Sequence, residues 1–240
     1  MTEQRRTVGV LGGKGPEATV ELLRLIVAVT PARTEEEHLH VIVDNHPQIP
    51  KPALGITGEG PDPVPALTAT AANLEKAGAD FIVIPCNSAH YYVEQVRGAV
   101  SIPVVSIIDE TVAAVKAAGI SRVGLLATTG LVSSGIYQDG FARAGVEVLL
   151  PDDAMQVRMM DGILAFKDRG DGGPLKAALD ELCGDLITRG AGGLVLGCTE
   201  LPVVLEADSI PVPCYDTLEI LARAAVREAL GKADERAAGK

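Results

Sequence analysis

LEKAGADFIVIPCNSAH, residues 74–90, closes a helix-like pattern at Gly78, runs through Phe81, Ile82, Val83 and Ile84, and sets Cys86 directly before Asn87 and Ser88. The same order of events returns in LITRGAGGLVLGCTELP, residues 186–202, where Gly190 falls on Gly78 and Cys198 on Cys86. The repetition extends outward in both directions. Upstream, RTVGVLGGKG (6–15) matches SRVGLLATTG (121–130), with Gly9 on Gly124. Downstream, SIPVVSIIDETVAAV (101–115) matches SIPVPCYDTLEILAR (209–223), with Pro103 on Pro211 and hence Ser106 on Cys214. Two halves of one design follow each other along the chain.

Within each half, short apolar runs such as TVGVL, LHVIVD, FIVIP and RVGLLA alternate with longer helical patterns such as PALTATAANLEKAG and PLKAALDELCGDLITRG. That alternation predicts βαβ units and parallel sheets, hence an α/β fold of two similar domains. Gly78 and Gly190 are expected to end helices, since glycine takes the positive φ that such ends require. In open parallel sheets ligands bind beyond the carboxyl ends of the strands, where both cysteines fall. If the halves pack about a pseudo-twofold axis, the two thiols face each other across one cleft.

The composition agrees with a small-molecule scaffold. The 240 residues are 47% hydrophobic but only 3% aromatic, as in buried parallel sheets flanked by helices. A net charge of −11 leaves no basic footprint for nucleic acid. MTEQRRTVGVLGG lacks the apolar region of a signal peptide, and no run approaches a membrane span. Cys86, Cys183, Cys198 and Cys214 include no C-x-x-C pair and read as reduced thiols of a cytoplasmic protein. The tail GKADERAAGK (231–240) reads as solvated.

A cysteine at a strand end that opens a helix meets backbone N–H groups and the positive end of the helix dipole, which lowers its pKa from about 8.5. One such thiol suggests a nucleophile with a neighbouring base; two in symmetric positions suit a symmetric reaction. Racemisation needs a base on one face of a carbon and an acid on the other, with roles exchanged in reverse. Asn87, Ser88 and Thr199, beside the thiols, then hold the substrate carboxylate.

Taken together, GGKGPEAT, PCNSAH, LLATTG and GCTEL, in this order over nearly the whole chain, resemble the aspartate/glutamate racemase family. The resemblance implies two Rossmann-like domains with a cleft between them, no pyridoxal phosphate, no metal, and a homodimer. It implies Cys86 and Cys198 as the catalytic bases, Asn87, Ser88 and Thr199 as substrate contacts, and Thr129 and Lys167 as further ones. With the last helix returning to the first domain, the expected domains are 1–103 plus 212–240, and 104–211. The aspartate-specific branch carries Met where this chain has Lys14, and IPDR where it has IPKP (49–52), so Pro52 stands in place of an Arg that pairs with the substrate's side-chain carboxylate. Lys51 or Lys14 is left to supply that charge, though an ammonium does not reproduce a bidentate guanidinium.

Other signals have plainer readings. Cys183 and Cys214 read as small hydrophobes of the core. GKGPEA (13–18) formally fits the dinucleotide fingerprint G-x-G-x-x-A, with Glu35 to Glu37 about where a ribose-binding acid belongs, but the equivalent LLATTG lacks it, which argues for a loop lining the cleft. His38 and His40 alternate as if on one strand face, with His46 near, and read as ordinary histidines rather than a metal site. Glu200 either orients a substrate amine or His90, or caps a helix. The reading is a cofactor-independent racemase of aspartate or glutamate. The alternatives are an isomerase or decarboxylase of small dicarboxylic acids, a nicotinamide-dependent oxidoreductase, and a non-catalytic binding protein.

Overall fold

The computed structural model describes residues 5–231; apart from Gly231, the tail expected to be solvated lies outside them. The chain forms two compact units, the first from the described residues up to Glu110 together with those from Leu218 on, the second from Thr111–Thr217. The elements of the first part of the chain are β1 (Val8–Gly12), α1 (Pro16–Val29), β2 (Val41–Asn45), α2 (Pro52–Thr57), α3 (Val64–Lys76), β3 (Phe81–Val83), α4 (Val93–Gly98), β4 (Val104–Val105) and α5 (Ile107–Ala117). There follow β5 (Arg122–Leu126), α6 (Thr129–Ser134), α7 (Ile136–Ala144), β6 (Glu147–Leu149), α8 (Asp153–Arg169), α9 (Gly173–Thr188), β7 (Leu194–Leu196), α10 (Leu201–Val204), β8 (Cys214–Asp216) and α11 (Thr217–Leu230).

Each unit holds a four-stranded sheet, ordered β2-β1-β3-β4 in the first and β6-β5-β7-β8 in the second. Every pairing is parallel. The central strands are buried on both faces, which is why β1 reads VGVLG and β7 reads LVL without polar alternation. Helices cover them through apolar stripes at helical spacing: Leu67, Thr70, Ala71 and Leu74 on α3, and Leu175, Ala178, Leu179, Leu182 and Leu186 on α9. The glycines after these two helices, Gly78 and Gly190, have φ of 97° and 95°, as expected for helix ends. The last helix serves the first unit, where Arg6 donates its backbone N–H to Ala229 at 3.0 Å and forms an ion pair with Glu228.

In each sheet the order reverses between the first and third strands of the half, β1 beside β3 and β5 beside β7. The loops leaving those strands at their carboxyl ends diverge, and that divergence makes the binding position of open α/β sheets. Cys86 and Cys198 each follow the third strand of their half, so both stand at such a reversal.

The structure departs from the sequence reading at Cys214 and at the histidines before β2. Cys214 does not occupy the position of Ser106. Leu194 N–H donates to Pro213 as Ile82 N–H donates to Pro103, at 2.9 and 2.8 Å, so Pro213 rather than Pro211 sets the register. Cys214 consequently pairs with Leu194 as Val104 pairs with Ile82, at the amino end of its sheet and away from Cys198. His38 and His40 precede β2 rather than sharing its face; Nδ1 of His40 lies 3.4 Å from the Thr7 hydroxyl, Nδ1 of His46 lies 3.0 Å from that of Thr70, and no metal-holding cluster of His, Cys, Asp and Glu occurs among the described residues. Glu35–Glu37 form a 3-10 turn before β2, at the end of the sheet opposite GKGPEA, so they do not complete a dinucleotide site.

Gly13 is needed for a different reason. It has φ +99°, and a Cβ there would lie 2.3 Å from the carbonyl carbon of His46. Two loops, after β1 and after β2, are pressed together at this point. Gly78, by contrast, has φ +97° with open space around it. Gly78→Ala is therefore expected to cost about 1–2 kcal/mol, the left-handed conformation alone, whereas in Gly13→Ala the backbone of the β2 loop must also move, for about twice that loss. Urea unfolding of the two variants measures the difference.

Candidate active site

In the first unit, β3 is followed by Ile84 and Pro85, and a tight turn in which Cys86 N–H donates to the Ile84 carbonyl at 2.8 Å. Asn87 is buried, Ser88 and Cys86 are half-buried, and Ser88 opens a 3-10 turn, Ser88–Tyr92, before α4. His90, on that turn, is a strut. Its Nε2 accepts the Ile107 N–H at 3.1 Å, which leaves the proton on Nδ1 to be donated to the Cys86 carbonyl at 2.9 Å. Both nitrogens are thus bound to backbone, and burial pulls its pKa down from 6.5 to about 4 against the raising effect of its hydrogen bonds to the Cys86 and Val105 backbone. His90 holds the Cys86 turn to the start of α5 as a neutral ring, and has no lone pair left for the Cys86 thiol.

Lys14 enters from the loop between β1 and α1. Because β1 lies between β2 and β3, that loop adjoins both Cys86 and the segment after β2. Its ammonium donates to the carbonyls of Pro47, at 2.8 Å, and Ile49. Burial lowers the Lys14 pKa, the Cys86 charge opposes that effect, and neighbouring Lys51 adds to it, so the three groups interact electrostatically. Lys51 is exposed at the N-cap of α2. Pro52 is buried as the first residue of α2, a position where proline's missing N–H costs nothing, and it brings no charge to the site.

In the second unit the residues converge on Glu200. Its carboxylate accepts from the Cys198 thiol at 2.8 Å and from the Thr199 hydroxyl at 3.3 Å, and its other oxygen pairs with Lys167 Nζ at 2.8 Å. Lys167 stands in the last turn of α8, and Glu200 is at the N-cap of α10 but makes no cap hydrogen bond, which removes the helix-capping reading. The Cys198 pKa is pushed up, first by burial and then by the Glu200 charge. Burial acts against the Glu200 charge as well, but Lys167 and the thiol hydrogen bond hold its pKa below the ordinary carboxylate value. At rest Cys198 is a thiol that donates to a carboxylate.

Thr129 begins α6 at the carboxyl end of β5, the strand next to β7. Its hydroxyl accepts from Gln156 at 3.3 Å, and the same Gln156 amide donates to the Ala127 carbonyl at 2.9 Å. Sequence reasoning missed Gln156, His90's strut role and the Pro47 and Ile49 carbonyls; a single Gln within a helix and two carbonyl groups carry no spacing signal. Cys183 is buried in the α9 stripe, its pKa raised to about 12 by burial, and serves as packing. No disulfide joins the cysteines.

The expectation that helix dipoles activate both thiols does not hold. The segments after Cys86 and Cys198 are a five-residue 3-10 turn and a four-residue helix, too short to sum a macrodipole. Burial dominates at Cys198, and the side-chain charges that act beside the two thiols have opposite signs, Glu200 at Cys198 and Lys14 at Cys86.

Two predictions test this electrostatics. Glu200→Gln removes the negative charge at the Cys198 thiol and is expected to move its ionisation about one unit toward lower pH, read in an alkaline titration as the ultraviolet thiolate absorbance lost on adding Cys198→Ser. For His90, the folded pKa lies below the unfolded one, so its contribution to stability is complete above pH 6.5 and is lost as the pH falls toward about 4. The full loss is about 3 kcal/mol. Thermal unfolding across that range is expected to show a falling midpoint in the parent and a flatter profile in His90→Gln.

A family model described as Asp/Glu/Hydantoin racemase matches residues 11–225. The chain is 27% identical over 224 residues to the broad specificity amino-acid racemase RacX of Bacillus subtilis, covering 91% of this chain and 96% of that one. Among solved structures, the aspartate racemase of Picrophilus torridus is similar with a TM-score of 0.83 at 28% identity, over 93% of this chain and 94% of that one. The glutamate racemase of Francisella tularensis, solved with D-glutamate, is similar in fold, with a TM-score of 0.64 at 20% identity over 92% and 80% of the two chains. The family match runs from within β1 to within α11 and takes in both cysteine turns: this chain belongs to the Asp/Glu/Hydantoin racemase family and is an isomerase.

Proposed function

We propose that this isomerase racemises an amino acid, aspartate or glutamate, without pyridoxal phosphate or metal, using Cys86 and Cys198 on opposite faces of Cα. The observation that carries the reading is the repeated delivery of one thiol by each unit, at the carboxyl end of the corresponding strand. In one direction the Cys86 thiolate removes the Cα proton, forming S–H as C–H breaks, and the Cys198 thiol returns its own proton to the other face. The product leaves Cys86 as thiol and Cys198 as thiolate, the starting state of the reverse reaction.

Asn87, Ser88 and Thr199 are assigned to the α-carboxylate, with Thr129 beside them. Glu200, which accepts from the Cys198 thiol, holds that S–H in a fixed orientation. For a side-chain carboxylate the available cations are Lys14 and Lys51; the charge of Lys167 is committed to Glu200. The choice of an acidic amino acid is supported by those cations and by the similarity to an aspartate racemase.

Purified protein is incubated with L- or D-aspartate and glutamate in deuterated water without added cofactor, and followed by circular dichroism and chiral chromatography. The expected result is loss of optical activity with deuterium entering Cα. Cys86→Ser and Cys198→Ser are each expected to lower the rate by at least about 100-fold, the usual reach of general acid–base groups; racemisation at the parent rate in either variant sinks the two-thiol assignment. Turnover of maleate or a substituted malonate, with no amino acid racemised, replaces the reaction.

A further inference from the structure

The two thiols share a strand-end position but have unlike surroundings. On the Cys86 side the interacting charge is a cation: in the parallel order β2-β1-β3 the loop after β1 runs beside the segments after both neighbours, and its Lys14 interacts electrostatically with Cys86. Gly13 lets that loop lie on the His46 backbone, where a Cβ would not fit, and the Lys14 ammonium is then gripped by the Pro47 and Ile49 carbonyls. An ammonium has three N–H donors, and those two carbonyls take two of them, so the charge is fixed in place rather than swinging on its stem. Beside Cys198 the charge is an anion, the Glu200 carboxylate at 2.8 Å, itself held by Lys167.

We propose that Lys14 is the electrostatic partner of Cys86, so that the resting enzyme carries Cys86 as a thiolate and Cys198 as a thiol. This rests on the two-thiol reading and deepens it: the resting enzyme is prepared for one enantiomer, the one whose Cα–H meets Cys86, and must move a proton from Cys86 to Cys198 before it accepts the other. Lys14 thereby acts through the thiol, as a positioning residue for charge.

The titratable groups on the elements around Cys86 agree with this. Lys14 stands on the β1 loop and Lys51 at the start of α2, both cationic. His90, on the turn that Cys86 opens, is neutral with both ring nitrogens bound to backbone, and Arg97 and Asp109 act on His90 with opposite signs. Around Cys198 the groups are Glu200 and Lys167, and the pair they form leaves the anion nearer the sulfur. The Lys14 pKa responds to the Cys86 charge, as a mutual interaction requires.

The test reads the thiols without turnover. Cysteine alkylation by iodoacetamide is followed against pH for each cysteine by peptide mass spectrometry, in the parent and in Lys14→Gln and Lys14→Arg. Gln keeps amide N–H groups for the Pro47 and Ile49 carbonyls but has no charge; Arg keeps the charge. The expected result is a Cys86 midpoint that moves to higher pH in Lys14→Gln, with its rate at pH 7 lower by about tenfold, a midpoint near the parent's in Lys14→Arg, and an unchanged Cys198 profile in both. A Cys86 midpoint unchanged in Lys14→Gln, or raised equally in Lys14→Arg, overturns the proposal, the second because the effect then follows loop anchoring and not charge. Racemisation by Cys86→Ser or Cys198→Ser at the parent rate removes the two-thiol reading while leaving the Lys14 result intact, so the two failures are told apart.

Discussion

The parallel pairing of β1 with β3, and of β5 with β7, governs everything built at the carboxyl ends of these strands. Parallel strands deliver their following loops to the same edge, and the reversal of strand order between these two strands separates the loops enough to admit a ligand. From that pairing it follows that Cys86 stands near Lys14, and Cys198 near the Thr129 turn, although each pair is far apart in sequence. The burial of β1 and β7 on both faces keeps the pairing in place, since separating the strands would leave buried backbone N–H and C=O groups without partners.

Onto this repeated frame the two halves have put different charges. A lysine gripped by two carbonyls adjoins one thiol and a carboxylate paired with a lysine adjoins the other. The desolvation of Cys198 and its carboxylate neighbour both favour the protonated thiol, whereas the ammonium beside Cys86 favours the anion. For a reaction in which one group gives a proton as another takes one, that inequality is useful: equal thiols would share the same resting protonation state, and one of the two roles would have to be created for each turnover.

His90 illustrates how a functional residue type takes a structural role. Four residues beyond a cysteine, a histidine invites assignment as the base of a nucleophilic pair. The five-residue 3-10 turn instead carries the ring back to the Cys86 carbonyl and forward to the Ile107 N–H, and burial keeps it neutral. Its contribution is to hold the turn in which the thiol sits.

What the sequence determined by itself was the repeat, the α/β class, the parallel sheets and the two cysteine turns, because each of these is local. Apolar runs, helical spacing and glycine ends are legible residue by residue, and a duplicated pattern doubles the signal. Even the register error at Cys214 came from a local ambiguity, two prolines in SIPVPC, of which only strand pairing chooses Pro213. The charges at the thiols were decided by tertiary structure alone. Lys14 and Cys86 are separated by most of the first unit's chain, Lys167 and Glu200 by α9 and β7, and an electrostatic interaction depends on distance in space, which only the packing of the strands supplies.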